Sequence, residues 1–194
     1  MKKIVLTFGL ISGAIISALM LATVPFMHQI GMSRAMVIGY TSMVLAFLLV
    51  FFGIRSYREN VGEGRISFRR AFGVGFLIML ISCVCYVITW EFVYFNFMPD
   101  FADKYATFVL EDARAHGASP AELAQQTEKL KEFKEMYSNI FYNVGLTLLE
   151  PLPPGLVITL ISALILRRGR KDLQDGQDAV KENPVNQVNR VNPV

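Results

Sequence analysis

An acidic residue and three prolines interrupt the last apolar stretch of the chain. Glu150 is followed by Pro151, Pro153 and Pro154 within residues 140–166, which hold no other acidic or basic side chain. Prolines have no amide hydrogen, so carbonyls one turn earlier lose their helical partners, and the residue before each proline is disfavoured in the helical region. Free carbonyls beside a carboxylate suit a cation or proton site, as in broken transporter helices. The pattern predicts a helix break at the prolines and a candidate intramembrane site at Glu150.

Three further polar residues are expected near the height of Glu150. The helical rise places Glu150 about 24 Å above the inner end of its span and Glu91 about 30 Å above the inner end of its own. His28 and Arg34 lie at the outer ends of the first two spans, where either can pair with Glu150. Two structural alternatives stay open. Glu150 can be stabilised by the dipole of a new half-helix, or the segment before Pro151 can lie along the membrane interface.

Four apolar stretches are long enough to hold these residues in a membrane. They are residues 4–27, 35–54, 71–95 and 140–166. A hydrocarbon core of about 30 Å requires about 20 helical residues, and lipid cannot satisfy an open backbone, so each stretch predicts a transmembrane helix. The first stretch resembles a signal peptide, but its apolar run is too long and no clear cleavage site follows.

The basic residues predict the orientation of these spans. Lysines 2 and 3 precede the first span, and four basic residues follow the last. The loop between the second and third spans carries Arg55, Arg58, Arg65, Arg69 and Arg70. The positive-inside rule places both termini and this Arg-rich loop in the cytoplasm. The loop is either a topology signal alone or a contact for anionic lipid or a partner protein, and it requires no nucleic acid.

Residues 101–138 predict an extracytoplasmic helical hairpin between the third and fourth spans. Ser119, Pro120 and Glu122 have the spacing of a capping box that starts the second helix of the hairpin. An apolar stripe repeats every seven residues at Leu123, Leu130, Tyr137 and Val144. Because the stripe crosses into the fourth span, we expect this helix to continue into that span without a break.

Small residues recur at every fourth position in the first and the last span. The two stripes are Gly9, Gly13 and Ser17, and Gly155, Thr159 and Ala163. Each stripe occupies one helix face, and the two lie at matching depth in the cytoplasmic half. Small faces allow close backbone approach, so the stripes predict contact between spans one and four.

Three segments carry a resemblance to a known family. They are "GIRSYREN", "GRISFRRAFGVGFLI" and "GLVITLISALILRR". They resemble domain-of-unknown-function family 4199, four-helix membrane proteins of Bacteroidetes-type bacteria, over roughly residues 1–170. The resemblance implies the inner membrane of a Gram-negative cell. It implies no activity, and no catalytic residue is carried over from it.

The sequence therefore predicts an all-α integral membrane protein with four spans in residues 1–171. Residues 172–194, rich in Asn-x-Val with two prolines, are predicted to form a disordered cytoplasmic tail. The expected function is that of a structural or protein-interaction component of the inner membrane without catalytic activity. The alternatives are a small transporter or channel subunit using Glu150 and the broken fourth helix, and a membrane enzyme, for which no catalytic constellation appears.

No cofactor and no metal are expected. The expected partners are the bilayer, anionic lipid at the Arg-rich loop, and a membrane-protein partner or a second copy of the chain; no nucleic acid is expected.

Overall fold

The described chain is built from helices alone. A computed structural model describes residues 1–167; the predicted tail and the last residues of the predicted membrane domain lie outside the described residues. Within residues 1–167 the structure is 87% helical and contains no strand, which confirms the all-helical fold class. The helices are α1 (Lys2–Thr23), α2 (Met27–Ile30), α3 (Met32–Asn60), α4 (Phe68–Phe97), α5 (Phe101–Ala115), α6 (Pro120–Tyr137), α7 (Ile140–Leu149) and α8 (Leu152–Leu166). A 3₁₀ turn, Val24–Phe26, joins α1 to α2.

Four helical segments are long and apolar enough to cross a bilayer. They are Lys2–Phe26, Met32–Asn60, Phe68–Phe97 and Ile140–Leu166. They coincide with the four predicted stretches, but α3 and α4 continue beyond the apolar runs. At the end of α3, Arg55 and Glu59 form an ion pair of 3.0 Å one turn apart, which favours continued helix. The end of an apolar run therefore marks the expected membrane boundary rather than the end of the helix.

α4 is the central helix of the bundle. It packs against α1, α3, α7 and α8, and its Ile78, Met79 and Cys83 are completely buried. Large apolar side chains on the outer faces of other helices, such as Leu10 and Ile165, are half exposed or more. This arrangement is expected of a bundle surrounded by hydrocarbon, where outward apolar side chains carry no penalty.

Hydrogen bonds from small polar side chains join the helices. Ser12 Oγ donates to the Ala46 carbonyl at 2.8 Å and joins α1 to α3. Ser82 Oγ of α4 lies 3.0 Å from the Ile78 carbonyl of its own helix and 3.2 Å from the Gly9 carbonyl of α1, so its one hydrogen is shared between the two acceptors. Buried hydroxyls in a membrane have no water to bond, so these contacts satisfy them and hold α1 in register.

The predicted contact between spans one and four through their small residues is wrong. A Cβ added at Gly13 would lie 2.7 Å from the Cβ of Cys85 on α4, and one added at Gly155 would lie 2.7 Å from the Cγ of Met79, also on α4. Both stripes thus face the central helix, from different sides. Four-residue spacing identifies a face for close packing but carries no information about which neighbour fills it.

α5 and α6 pack against each other and are joined by a tight turn. Gly117 has φ +83°, a backbone conformation that favours glycine, and it follows His116, the residue that caps the C-terminus of α5. The predicted capping box is confirmed. Ser119 donates its backbone N–H and its hydroxyl to Glu122 Oε2 at 2.7 and 2.8 Å, and the Glu122 N–H donates to Ser119 Oγ at 3.3 Å. Pro120 occupies the first helical position.

The predicted continuous helix from the hairpin into the fourth span is wrong. α6 ends at Tyr137 and α7 begins at Ile140. Asn139 lies between them, and its side chain accepts a hydrogen bond from the Phe141 N–H at 2.9 Å, which caps α7. Leu130 remains on the less exposed face and Tyr137 is buried, so the predicted face is correct. The Asn139 side chain bonds the backbone and so favours starting a new helix over continuing the old one. The spacing of apolar residues contains no information about such a cap.

Ser119→Ala should destabilise the start of α6 by about 1 kcal/mol, because the Glu122 N–H loses its acceptor. We expect faster hydrogen exchange in the first turn of α6 and no change in α4. Thr127→Ala is the matched control, since the Thr127 hydroxyl bonds only the Leu123 carbonyl of its own helix. Equal rates of hydrogen exchange in the first turn of α6 for the two variants would show that Ser119 does not stabilise the start of this helix.

The same cap should weaken in acid. Hydrogen bonds from the Ser119 backbone, and next from its hydroxyl, hold the pKa of Glu122 below its usual range. A carboxylate with a lowered pKa stabilises the fold above its unfolded pKa, and this contribution is lost as pH falls through the folded pKa. Exchange in the first turn of α6 should therefore accelerate below the ordinary glutamate range. Glu122→Gln should flatten that pH dependence, and an unchanged profile would contradict it.

Candidate functional site

A cavity of about 520 Å³ lies among α3, α4, α7 and the α5–α6 pair. Its volume falls in the range of about 300–1,000 Å³ that is typical of small-molecule sites. Most of its wall is aromatic or aliphatic. Glu150 contributes the one carboxylate, and no lysine, arginine or histidine of the described chain is among the lining residues.

Aromatic side chains close the cavity beneath α5 and α6. The rings of Trp90 and Phe101 meet edge to face with centroids 4.8 Å apart, and Trp90 Nε1 donates to the Tyr137 hydroxyl at 2.9 Å. Phe133 packs on Tyr137 at 5.2 Å and on Tyr105 at 5.5 Å. These contacts tie α5 and α6 to the end of α4. Burial raises the pKa of Tyr137, so its hydroxyl keeps its proton at neutral pH.

The carboxylate of Glu150 is held by a tyrosine of the central helix. The Tyr86 hydroxyl donates to Glu150 Oε2 at 2.8 Å, and both residues line the cavity. Tyr86 is buried, whereas Glu150 is exposed. Tyr40 on α3 and Leu149 on α7 are also exposed lining residues, so the cavity opens sideways between these two helices.

The predicted helix break lies directly beside this carboxylate. α7 ends at Leu149 and α8 starts at Leu152. The expected departure of Glu150 and Leu152 from helical angles is wrong: Glu150 has φ −63° and ψ −51°, and Leu152 is the first residue of α8. Pro153 and Pro154 follow it in the first turn of α8, where amide hydrogens have no helical partner to lose. The prolines therefore begin a new helix and leave the Glu150 backbone undistorted.

A comparison with protein families decides what the chain is related to. The family described as "Protein of unknown function (DUF4199)" matches residues 7–168. The chain belongs to this family. The match begins within α1 and ends after α8, so it includes most of the first membrane-capable segment, the other three segments and the cavity. No curated protein and no solved structure matches the chain. The DUF4199 description assigns no activity, so function has to be argued from the site.

Two of the other predicted polar residues of this DUF4199 chain, Arg34 and Glu91, do not join Glu150 in the described structure. Arg34 is exposed near the start of α3 and forms no ion pair within residues 1–167. Glu91 lies on α4 outside the cavity lining, and its carboxylate oxygens are buried without a hydrogen-bond partner among the described residues. His28 belongs to α2, and its side chain is outside the description. The observed partner of Glu150 is Tyr86. The prediction from residue heights along the helices missed it because only ionisable acidic and basic residues were compared with Glu150.

A recurring aromatic spacing could have revealed the cavity wall. Three helices each contribute two aromatic lining residues one turn apart: Tyr86 and Trp90, Phe101 and Tyr105, Phe133 and Tyr137. Residues four apart share a helix face, so each pair predicts an aromatic patch. The sequence does not show that the three patches converge, since convergence depends on how α5 and α6 fold over α4.

The Arg-rich loop lies at the opposite end of the bundle. Arg55 and Arg58 belong to α3 and contact Glu59 at 3.0 and 3.2 Å. The other three arginines, Arg65, Arg69 and Arg70, are exposed. Three of the four basic residues expected after the last span, at positions 168, 170 and 171, lie outside the described residues. The part of the chain that is described contains no group of three or more potential metal ligands.

Proposed function

We propose that this DUF4199 protein is a multi-pass protein of the inner membrane that acts by binding a small molecule, without catalysis. The observation that carries the proposal is the aromatic cavity with its single hydrogen-bonded carboxylate. Its size and its mostly apolar wall with a few fixed polar groups are the ordinary properties of a ligand site. The protein would serve as a small-molecule-binding component of the membrane, a role different from the structural or protein-interaction role expected from the sequence.

The charge pattern supports an orientation with both termini in the cytoplasm. The exposed Arg65, Arg69 and Arg70 lie where α3 and α4 meet, at the same end of the bundle as the start of α1. The positive-inside rule assigns that end to the cytoplasm, where these arginines would also contact anionic lipid headgroups. The cavity and the α5–α6 pair would then face the outer side.

Single-cysteine labelling should report this orientation. In a chain with Cys83 and Cys85 replaced by alanine, Ala124→Cys on α6 should react with an impermeant maleimide in intact spheroplasts. Ser67→Cys, in the turn before α4, should react only after permeabilisation. Labelling of both cysteines from the same side would contradict the proposed topology.

The packing below the cavity favours a binding pocket over an open channel. Phe47, Ile78 and Met79 are completely buried at the centre of the bundle, and a Cβ at Gly155 would lie 2.7 Å from Met79 Cγ. No room for a water-filled path remains where these side chains meet. The transporter alternative is retained for one reason: the break between α7 and α8 beside Glu150 is a natural hinge for opening such a path.

Native mass spectrometry of the membrane-extracted protein tests the binding role. We expect the wild type to retain a small molecule that Ala35→Phe excludes, because Ala35 is a buried lining residue and phenylalanine would fill the cavity. Val37→Phe is the matched control, since Val37 lies on the same helix, faces outward and does not line the cavity. Identical spectra for the wild type and Ala35→Phe would overturn the proposal and favour a purely structural role.

A further inference from the structure

We propose that the cavity takes an organic cation: a substituted ammonium group attached to an apolar body. The inference rests on the proposed binding function and names the chemical class of the ligand. It follows from three properties of the cavity: the carboxylate without a counter-charge, the aromatic wall and the sideways opening.

The carboxylate of Glu150 has no cationic partner in the described chain. Its one hydrogen bond comes from the neutral hydroxyl of Tyr86, at 2.8 Å. Among the side chains that the structure describes, which do not include that of His28, no basic one lines the cavity or forms an ion pair with Glu150. A carboxylate in an apolar site is costly unless a positive charge compensates it or it takes up a proton. A cationic ligand would supply the positive charge that no described side chain supplies.

The wall of the cavity favours a cation whose charge is spread over alkyl substituents. Seven aromatic side chains line it; Tyr40, Tyr86 and Trp90 are those that come from α3 and α4. The faces of such rings attract ammonium groups, most strongly where water is excluded. A metal ion would need several oxygen ligands, whereas the described lining offers one carboxylate, four phenol hydroxyls and the Thr147 hydroxyl.

The opening favours a ligand with an apolar body. It lies between α3 and α7, in segments apolar enough to be surrounded by lipid. An amphiphilic ammonium compound would reach the cavity from within the bilayer, with its charged end at Glu150. Such a compound is either a free amine or the headgroup of a lipid, and the two share the chemistry that the site recognises.

The only tryptophan of the chain provides a specific signal for this binding. Trp90 lines the cavity, so its fluorescence in nanodisc-embedded protein reports occupancy. The probe is benzyltrimethylammonium chloride, and the comparison is its neutral isostere neopentylbenzene. We expect saturable quenching by the cation with at least about tenfold tighter binding than the isostere. Glu150→Gln should abolish that difference. Glu91→Gln should preserve it, because Glu91 does not line the cavity.

The outcomes separate the two proposals. Equal binding of cation and isostere, unaffected by Glu150→Gln, would overturn the cationic ligand and leave the binding cavity standing. No saturable response to either compound would overturn the inference and count against the binding function as well. The comparison within the wild type stays decisive even if Glu150→Gln fails to fold.

A second arm distinguishes the two sources of the ammonium group. Nanodiscs of phosphatidylglycerol alone are compared with nanodiscs that also contain phosphatidylcholine, whose headgroup ends in a trimethylammonium group. Weaker probe binding as the phosphatidylcholine fraction rises would support a lipid headgroup as the occupant. Unchanged probe binding would support a free amine.

Discussion

Gly13→Ala should destabilise the detergent-solubilised protein by about 1–3 kcal/mol, the usual effect of overpacking a tight core. A Cβ at this position would lie 2.6 Å from Cys85 Sγ and 2.7 Å from Cys85 Cβ. The Cβ of Cys85 is attached to the backbone of α4 and cannot rotate away, so α1 has to move off α4. Because α1 packs mainly against α4 and α3, the change should be visible as a lower thermal unfolding midpoint.

Gly39→Ala is the control, and its effect should have the opposite sign. Gly39 lies inside α3, and a Cβ there would meet nothing within 4 Å. Alanine favours a helix interior over glycine by about 1 kcal/mol, so this variant should be unchanged or more stable. If both variants shift the unfolding midpoint equally, the close approach of α1 to α4 is incorrect.

A double-mutant cycle between Tyr86 and Glu150 should show a coupling free energy of about 1–3 kcal/mol. The 2.8 Å bond from a buried hydroxyl to a carboxylate is the kind that contributes most in proteins. Tyr86→Phe and Glu150→Ala each remove the bond, and the double variant should lose little more than the worse single variant. The coupling is obtained from the unfolding free energies of the wild type, the two single variants and the double variant, all measured in the same detergent.

The same measurement decides between the observed partner of Glu150 and Arg34, one of the two partners expected from the sequence. A cycle between Arg34 and Glu150 should give a coupling near zero, since Arg34 is exposed and forms no ion pair in the described chain. Tyr94→Phe is a further control on α4, because its hydroxyl makes no hydrogen bond among residues 1–167. Strong coupling to Arg34 with none to Tyr86 would show that the end of α7 is placed incorrectly.

Features that depend on neighbouring residues were predictable from the sequence. The four membrane-capable segments follow from predominantly apolar stretches of sufficient length, and the start of α6 follows from Ser119, Pro120 and Glu122. The break beside Glu150 also follows from local chemistry, because proline acts on the turn that contains it.

Features that depend on which helices meet were not predictable in the same way. The small residues of α1 predict close packing against another helix, but only the fold shows that Cys85 of α4 is the residue packed against Gly13. The aromatic pairs on α4, α5 and α6 are visible in the sequence, but their convergence over Glu150 requires the α5–α6 pair to fold back onto α4. Periodicity identifies faces, and tertiary structure assigns their partners.

The wrong prediction of a continuous helix from α6 into the fourth span shows that one capping side chain can end a helix although the apolar repeat continues. The seven-residue repeat correctly selects the inward face of α6 and α7, but Asn139 ends one helix and caps the next. A single side chain that bonds the Phe141 N–H is sufficient to offset the weak preference for continuation at that point.

Photo-crosslinking in living cells tests the binding cavity most directly. A photoreactive phenylalanine analogue in place of Tyr40, at the exposed edge of the cavity, should capture one small molecule of discrete mass. The adduct should disappear when Ala35→Phe fills the cavity. The same analogue in place of Leu45, which is exposed on α3 away from the cavity, should capture bulk phospholipid alone. Bulk phospholipid at both positions, or a protein adduct at position 40 that Ala35→Phe leaves unchanged, would contradict a ligand-binding cavity.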